Sequence, residues 1–205
     1  LGVHPSDIYM MGDDILVAPV ITPGTTEKTV TFPEGEWVDW WTGDRHEPGS
    51  KTVEAPLTRL PLFVGAGSII PMLHPSIDTL SAVADGQSIH SLANDVGELY
   101  ALTSFGPDRH FISYDGSTIT QKQIEGATEF SWEPGSLFVS GLVLEIISTK
   151  SKPESVKDEK GTDLPELNAE SELRSTTSGW TFSDEKAGTL WIKLPAVASK
   201  AIIKR

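Results

Sequence analysis

Short stretches of the chain alternate between apolar and polar side chains with a period of two residues. In the stretch 28–32, Val30 and Phe32 fall on one face and threonines fall on the other. The stretches 99–105 and 189–194 alternate in the same way. A period of two is that of a β-strand with one buried face, so each stretch is predicted to be a half-buried strand.

Further short apolar runs are separated by turn-forming dipeptides. Examples are Pro23-Gly24, Asp115-Gly116 and Ser178-Gly179. Many short strands at roughly 8–12-residue spacing are typical of a sandwich or barrel, so an all-β fold is predicted. The further predicted strands are 15–20, 36–41, 51–55, 62–64, 68–72, 110–114, 137–140, 142–147 and 180–182.

Some segments depart from the alternating pattern. A short helix is predicted at 76–84, and the charged segment 151–175 is predicted to be an exposed hairpin or loop. The polar segment 85–97 has no pattern and is the predicted linker, which divides the chain near residue 93. The chain is therefore expected to fold as two consecutive units.

The composition limits the partners and the chemistry. A formal net charge of −13 predicts that the chain binds neither nucleic acid nor an anionic membrane, because both are negatively charged. The chain has no cysteine, which excludes disulfides, thiolate zinc sites and a cysteine nucleophile. No apolar run approaches the roughly 18 residues of a membrane-spanning helix. The chain starts at Leu1 and shows no signal-peptide pattern, so we expect it to be a piece of a longer protein. The compartment of that protein stays unknown.

Three sequence blocks follow one another in the first third of the chain. They are YMMGDDILVAPV at 9–20, FPEGEWVDWWTG at 32–43 and PLTRLPLFVGAGSIIP at 56–71. In content, order and spacing, these blocks resemble the C-terminal region of glycoside hydrolase family 31. Three blocks in the right order are a far more specific signal than any one of them.

The second half of the chain matches the family less closely. The turn ISYDGST at 112–118 is similar to a turn of the family's distal domain, but it lacks part of the acidic run. The resemblance implies an all-β fold of two consecutive antiparallel β-sandwiches, preceded by a short remnant of a (β/α)8 barrel. The implied domains are the barrel remnant at 1–13, the proximal sandwich at 14–93 and the distal sandwich at 94–205.

The resemblance also implies a role within a longer enzyme. Retaining α-glycosidases cleave their bonds with two carboxyl groups about 5–5.5 Å apart. In the family both groups lie upstream of this region, so the chain alone is expected to be inactive and to brace the upstream catalytic barrel of the same protein. No cofactor is expected. The implied barrel contacts are Met10, Met11, Ile15 and the stretch 60–63.

Several acidic residues could mimic a catalytic group, and each has a structural alternative. Asp44 follows the tryptophan-rich block and is predicted to lie in a turn. Asp13 and Asp14 are adjacent, so in a strand they would point to opposite faces. Asp115-Gly116 is predicted to form a tight turn rather than a calcium site. No metal site is expected, because the histidines are scattered, at His4, His46, His74, His90 and His110.

The predicted substrate-binding residues are three tryptophans of the second block. Trp37 and Trp41 fall on one face of the predicted strand, and Trp40 falls on the other. An exposed indole ring offers a flat apolar face to the C–H face of a sugar. The alternative is that these rings pack in the core, where aromatic residues of strands are more often found.

Two other functions remain open at this point. A stand-alone carbohydrate-binding module is also a β-sandwich with surface tryptophans, and it would bind sugar by itself. The block at 9–20 argues against it, because an independent module does not need a segment that leaves a barrel. A pure interaction domain is permitted by the fold alone, but it does not explain the three ordered blocks.

Overall fold

The computed structural model describes residues 7–84, 88–94 and 97–205, and these residues are almost entirely in strands, turns and loops. Short 3₁₀ helices lie at Glu170–Ser175 and Glu185–Ala187. In the described part of the chain no helix is long and apolar enough to span a membrane. The strands are β1 (Tyr9–Met11), β2 (Ile15–Val17), β3 (Glu27–Phe32), β4 (Trp37–Asp39), β5 (Arg45–His46), β6 (Gly49–Glu54), β7 (Leu62–Gly65), β8 (Ile70–Met72), β9 (Leu99–Ser104), β10 (Arg109–Ile112), β11 (Thr118–Ile124), β12 (Ala127–Glu133), β13 (Leu142–Ile147), β14 (Ser155–Lys157), β15 (Gly179–Ser183), β16 (Thr189–Leu194) and β17 (Ser199–Lys204).

The described strands form open sheets. The proximal sheet has the order β1-β2-β7-β4-β5, and the small sheet consists of β3 and β6. The inner distal sheet has the order β15-β16-β13-β9-β8, and the outer distal sheet has the order β10-β11-β12-β17-β14. The pairings are antiparallel, as expected, with one exception: β9 and β13 run parallel, with Leu99 opposite Leu142. The predicted all-β fold is therefore confirmed.

The proximal sheet is buried on both faces. Its strands alternate, so that Leu16 points to one face while Ile15 and Val17 point to the other. The first face packs on the small sheet, and this core contains Leu16, Ala18, Val30, Phe32, Trp37 and Phe63. The second face packs on the inner distal sheet through the junction cluster, which contains Ile15, Val17, Val38, Val64, Ile70, Leu102 and Ile147.

The inner distal sheet is likewise covered on both sides. Its other face packs on the outer distal sheet, and this largest core includes Leu144, Ile146, Phe130 and Trp132. The part of the inner distal sheet that the proximal sheet does not reach is covered by the segment around Leu173. The four sheets are thus stacked in layers, and apolar contacts continue from the proximal sandwich into the distal one.

The chain crosses between the sandwiches earlier than the predicted linker. Strand β8 lies inside the predicted proximal domain, yet it pairs with β9 as an edge of the inner distal sheet, with Ile70 opposite Leu102. At the other end of the chain, residues 1–6 of the predicted barrel remnant lie outside the described residues, and β1 pairs with β2 in the proximal sheet. Residues 85–87 and 95–96 of the predicted linker also lie outside the described residues.

Some local predictions were wrong. The segment 76–84 is not a helix but a series of turns that includes a bridge between Thr79 and Ser91. The segment 137–140 is not a strand, because the Asp115 carboxylate binds the backbone amides of Leu137 and Phe138 and holds them in a loop. The charged segment 151–175 contains the short strand β14 and the buried side chain of Leu173, so it is only partly an exposed loop.

Candidate functional site

The tryptophan-rich block ends in a tight turn that is fastened by Asp39. Strand β4 ends at this residue, and its Oδ1 accepts hydrogen bonds from the backbone amides of Trp41 at 2.7 Å and Thr42 at 2.9 Å. Gly43 then adopts a φ of 76° and lies against the backbone carbonyl of Lys186, where a Cβ atom would overlap the oxygen. The carboxylate of Asp39 therefore shapes the turn that presents Trp41.

The three predicted sugar-binding tryptophans have different environments. Because β4 ends at Asp39, Trp37 and Trp41 do not share a strand face as predicted. Trp37 is only 5% exposed, and its ring belongs to the core under the small sheet, which leaves no ring face for a sugar. Trp40 is half-buried against the junction cluster. Trp41 is 39% exposed, and its indole N–H donates to the carbonyl of Leu60 at 2.7 Å.

A cavity of about 320 Å³ opens beside Trp41. We call it the Trp41 cavity. It lies between the turn after β4, the strands β5 and β6, and the loop that leads to β7. The residues that line it are Asp39, Trp41, Thr42, Asp44, His46, Thr52, Val53, Glu54, Arg59 and Pro61.

His46 lines this cavity with an aromatic ring that packs on the core. Its ring stacks on Phe32, with centroids 4.7 Å apart and planes 5° from parallel, and meets Phe63 edge-on at 5.4 Å. Burial lowers the pKa of His46, and the nearby charge of Lys51 lowers it further, whereas Asp39 and Asp44 oppose the shift. This shift favours the neutral imidazole, which offers one hydrogen-bond donor and one acceptor.

The acids of the Trp41 cavity do not have the environment of a general acid. A catalytic carboxylic acid is kept protonated near neutral pH by an apolar, buried setting. Asp44 and Glu54 are exposed, and Asp44 accepts a hydrogen bond from the Thr42 hydroxyl at 2.9 Å. Asp44 lies in a turn, as predicted.

Asp13 and Asp14 also have a structural place. They lie in the turn between β1 and β2. The prediction that they point to opposite faces assumed a strand at this position, and that assumption was wrong. Asp14 Oδ1 accepts a hydrogen bond from the Ser68 hydroxyl at 2.6 Å, and the Asp14 carbonyl accepts one from the Gly65 amide at 3.0 Å. Asp14 thus joins this turn to the loop after β7.

Asp115 fastens two loops of the distal sandwich. Its carboxylate accepts hydrogen bonds from the Ser117 amide at 3.0 Å and hydroxyl at 2.8 Å, and from the amides of Leu137 at 3.1 Å and Phe138 at 3.3 Å. Burial alone would raise the pKa of Asp115, but these hydrogen bonds together lower it. Among the described residues, no group of three or more His, Asp or Glu side chains is placed to hold a metal ion.

The predicted barrel contacts fall into two groups. Ile15 and Phe63 are buried in the cores of the chain itself, so their side chains are not available to a barrel, contrary to the prediction. Met11 and Leu60 are 54% and 43% exposed. The sequence left open whether Trp41 is exposed or packs in the core. It gave no reason to join Trp41 to Arg59 or Glu54, because these residues meet only through the pairing of distant strands.

Comparisons with known proteins agree with this fold. The family described as "Glycosyl hydrolase family 31 C-terminal domain" matches residues 3–70. The chain is 30% identical over 195 residues to an isomaltosyltransferase of Sporosarcina globispora, and this alignment covers 93% of the chain and 17% of that protein. The chain is 40% identical over 72 residues to an alpha-xylosidase of Saccharolobus solfataricus, and this alignment covers 34% of the chain and 10% of that protein.

A solved structure shows the same arrangement over nearly the whole chain. It is the cycloalternan-forming enzyme of Listeria monocytogenes in complex with a pentasaccharide substrate, with a TM-score of 0.75 and 26% identity. The match covers 97% of this chain and 19% of that one, so the chain spans about a fifth of the length of such relatives. The sequence blocks, the stacked sheets and these matches together show that the chain belongs to the C-terminal region of glycosyl hydrolase family 31.

Proposed function

We propose that the chain is the non-catalytic C-terminal β-sandwich region of a retaining α-glycosidase and that it braces the catalytic barrel upstream of it. The proposal is supported by the short span of the chain relative to its relatives, which include an alpha-glucosidase of Bacillus thermoamyloliquefaciens and the alpha-xylosidase of Saccharolobus solfataricus. The whole enzyme would hydrolyse O-glycosyl bonds in α-linked sugars with retention. This chain would supply a rigid support.

The observation that carries the proposal is a group of exposed apolar side chains at one end of the proximal sheet. Tyr9 lies opposite Val17, which in turn lies opposite Leu62, so β1 and β7 begin at the same end. An exposed apolar group of this kind marks a contact with another protein surface. We call it the apolar end, and it consists of Tyr9 at 46% exposure, Ile21 at 65%, Leu57 at 98% and Leu60 at 43%.

The open edges of the proximal sandwich support the same conclusion. Strand β1 is the edge of the proximal sheet, and the small sheet has two strands in the described part of the chain. Edge strands present unpaired backbone N–H and C=O groups, which proteins usually pair or cover. A barrel packed at this end would cover both the apolar side chains and a strand edge.

The roles of the acids support the absence of catalysis. A retaining glycosidase needs a nucleophile and an acid that face one sugar. The carboxylates of Asp39, Asp14 and Asp115 are instead bound to nearby amides and hydroxyls that fix turns. We therefore assign no catalytic residue to this chain.

The apolar end can be tested in the 205-residue chain. Leu57→Asp adds a charge to the apolar end without touching the core, because Leu57 is 98% exposed. We expect the variant to bind less of a hydrophobic dye and to self-associate less in size-exclusion chromatography. Val197→Asp, at an exposed valine between β16 and β17 of the distal sandwich, is the control and is expected to change neither.

The bracing role requires a protein that includes the upstream segment. In that protein we expect Leu57→Asp to lower the melting temperature and the α-glycosidase activity together, whereas Val197→Asp leaves both unchanged. Equal effects of the two variants, or no effect of Leu57→Asp on either quantity, would contradict the proposal.

A further inference from the structure

We propose that the Trp41 cavity is a binding site for a neutral pyranose, such as one glucosyl unit of an α-glucan. The site is formed by residues of the proximal sandwich alone. It does not depend on the bracing role, because a sugar would bind to groups that the chain holds by itself.

The ring of Trp41 is held in place before any ligand arrives. Its indole N–H is bound to the Leu60 carbonyl at 2.7 Å, and its backbone amide is bound to Asp39 Oδ1 at 2.7 Å. The residue is nevertheless 39% exposed, and it lines the cavity. A fixed aromatic ring loses little conformational entropy when a flat ligand stacks on it, which favours binding.

Hydrogen-bonding groups surround the ring on the other sides of the cavity. Glu54 and Asp44 offer carboxylate oxygens, which accept from sugar hydroxyls, and Arg59 offers guanidinium N–H groups, which donate to them. The side chains of Arg59 and Glu54 are exposed, and no ion pair within the described residues occupies either. An apolar ring with a few convergent polar groups is the usual composition of a small-ligand site.

The charges of the cavity select the class of ligand. Its lining contains the carboxylates Asp39, Asp44 and Glu54 and one guanidinium, Arg59, while the whole chain carries a net charge of −13. Phosphorylated or carboxylated ligands would be repelled. A volume of about 320 Å³ is at the lower end of the range of small-molecule sites, which suits one or two sugar rings.

The test is a titration of the 205-residue chain with maltose and with isomaltose, followed by Trp fluorescence and by calorimetry. We expect saturable binding in the millimolar range, with no binding of glucose 6-phosphate. Trp41→Ala is expected to weaken binding about tenfold, because the stacking surface is lost. Arg59→Ala and Glu54→Gln are expected to weaken it about threefold each, and because both residues are exposed these variants keep the fold even if Trp41→Ala does not.

Tyr114→Ala is the matched control, because Tyr114 is a 79% exposed aromatic residue of the distal sandwich. It is expected to leave sugar binding unchanged. Absence of saturable binding, binding that Arg59→Ala and Glu54→Gln both leave intact, or stronger binding of glucose 6-phosphate than of maltose would overturn the proposal. The sugar titration changes Trp41, Arg59 and Glu54, whereas the test of the apolar end changes Leu57, so the two proposals fail separately.

Discussion

The guanidinium of Arg45 donates from Nε to the hydroxyl of Ser148 at 3.0 Å, and this hydrogen bond joins residues that are 103 positions apart. Arg45 lies on β5 in the proximal sheet, and Ser148 follows β13 in the inner distal sheet. Arg45 also donates to the carbonyl of Phe105 at 3.1 Å and pairs with Glu36. One side chain thus ties together the two sandwiches beside the junction cluster.

Arg45→Lys tests this tie while keeping the positive charge. A lysine cannot reproduce the planar fork of the guanidinium, so the bonds to Ser148 and Phe105 cannot both be kept. We expect the free energy of unfolding to fall by about 2 kcal/mol, with the chain still unfolding in a single transition. Urea denaturation followed by Trp fluorescence measures both quantities. Arg109→Lys, at an exposed position of β10, is the control; an equal loss in both variants would show that the tie is unimportant.

The junction also depends on a glycine. A Cβ atom at Gly43 would lie 1.8 Å from the carbonyl oxygen of Lys186, and the residue has a φ of 76°. Gly24 has a similar φ of 79° but nothing within 4 Å of its Cβ position. Gly24→Ala is therefore expected to cost about 1 kcal/mol from backbone strain alone. Gly43→Ala is expected to cost at least about 2 kcal/mol more, because the two backbones must move apart.

Thermal unfolding of the two glycine variants gives the comparison directly. Similar melting temperatures for Gly43→Ala and Gly24→Ala would mean that the close approach of Gly43 to Lys186 does not exist in solution. A lower melting temperature for Gly43→Ala is the expected result.

A largely buried ion pair lies on the face of the inner distal sheet that the segment around Leu173 covers. Lys193 Nζ lies 2.7 Å from Glu98 Oε1, and the two side chains are 5% and 18% exposed. Glu98→Gln leaves the buried ammonium without its counter-charge, so we expect a loss of about 3 kcal/mol. Lys193→Met with Glu98→Gln removes both charges and is expected to recover most of that loss. Glu166→Gln, in the exposed pair with Lys152, is expected to cost less than about 1 kcal/mol, and an equal loss there would contradict the argument.

The Asp115 turn predicts a pH dependence of stability. Hydrogen bonds from Ser117, Leu137 and Phe138 hold the pKa of Asp115 below its usual value. A group with a lowered pKa in the fold contributes stability above its unfolded pKa, about 3.9, and this contribution is lost as the pH falls through the folded pKa. Asp115→Asn is therefore expected to be less stable than the unmodified chain by about 1–3 kcal/mol at pH 7.

This difference should shrink as the pH falls below about 4, because the carboxyl of the unmodified chain is then protonated as well. Urea denaturation at a series of pH values measures it. Asp13→Asn, at an exposed position of the β1–β2 turn, is the control and should show little difference at any pH. A difference for Asp115→Asn that grows in acid would have the wrong sign for this account.

Alternation along the chain predicted the strands whose buried positions are apolar. The alternating stretches 28–32, 99–105 and 189–194 correspond to β3, β9 and β16. Strands β11 and β12 were missed because part of their buried face is polar. Gln121 is fully buried and donates to the carbonyls of Gly106 and Pro107, which no pattern along one strand can reveal.

The two-sided burial of β9 was also beyond the sequence. Its alternation predicted one buried and one solvent-exposed face, but all six of its residues are buried. Leu102 reaches the junction cluster, and Tyr100 is covered by the segment around Leu173. Which sheet covers a strand is decided by residues far away in the chain. For the same reason, the hydrogen bond between Arg45 and Ser148 and the residues around Trp41 could not be predicted from the sequence.

The central claim, that this chain has no catalytic carboxylate pair, is tested most directly by incubating it with an aryl α-glucoside. Asp39, Asp44 and Glu54 line one cavity, so these are the acids to examine. We predict no release of the aryl alcohol above that in buffer, for the unmodified chain and for Asp44→Asn and Glu54→Gln alike. Turnover by the unmodified chain that either substitution abolishes would contradict the claim.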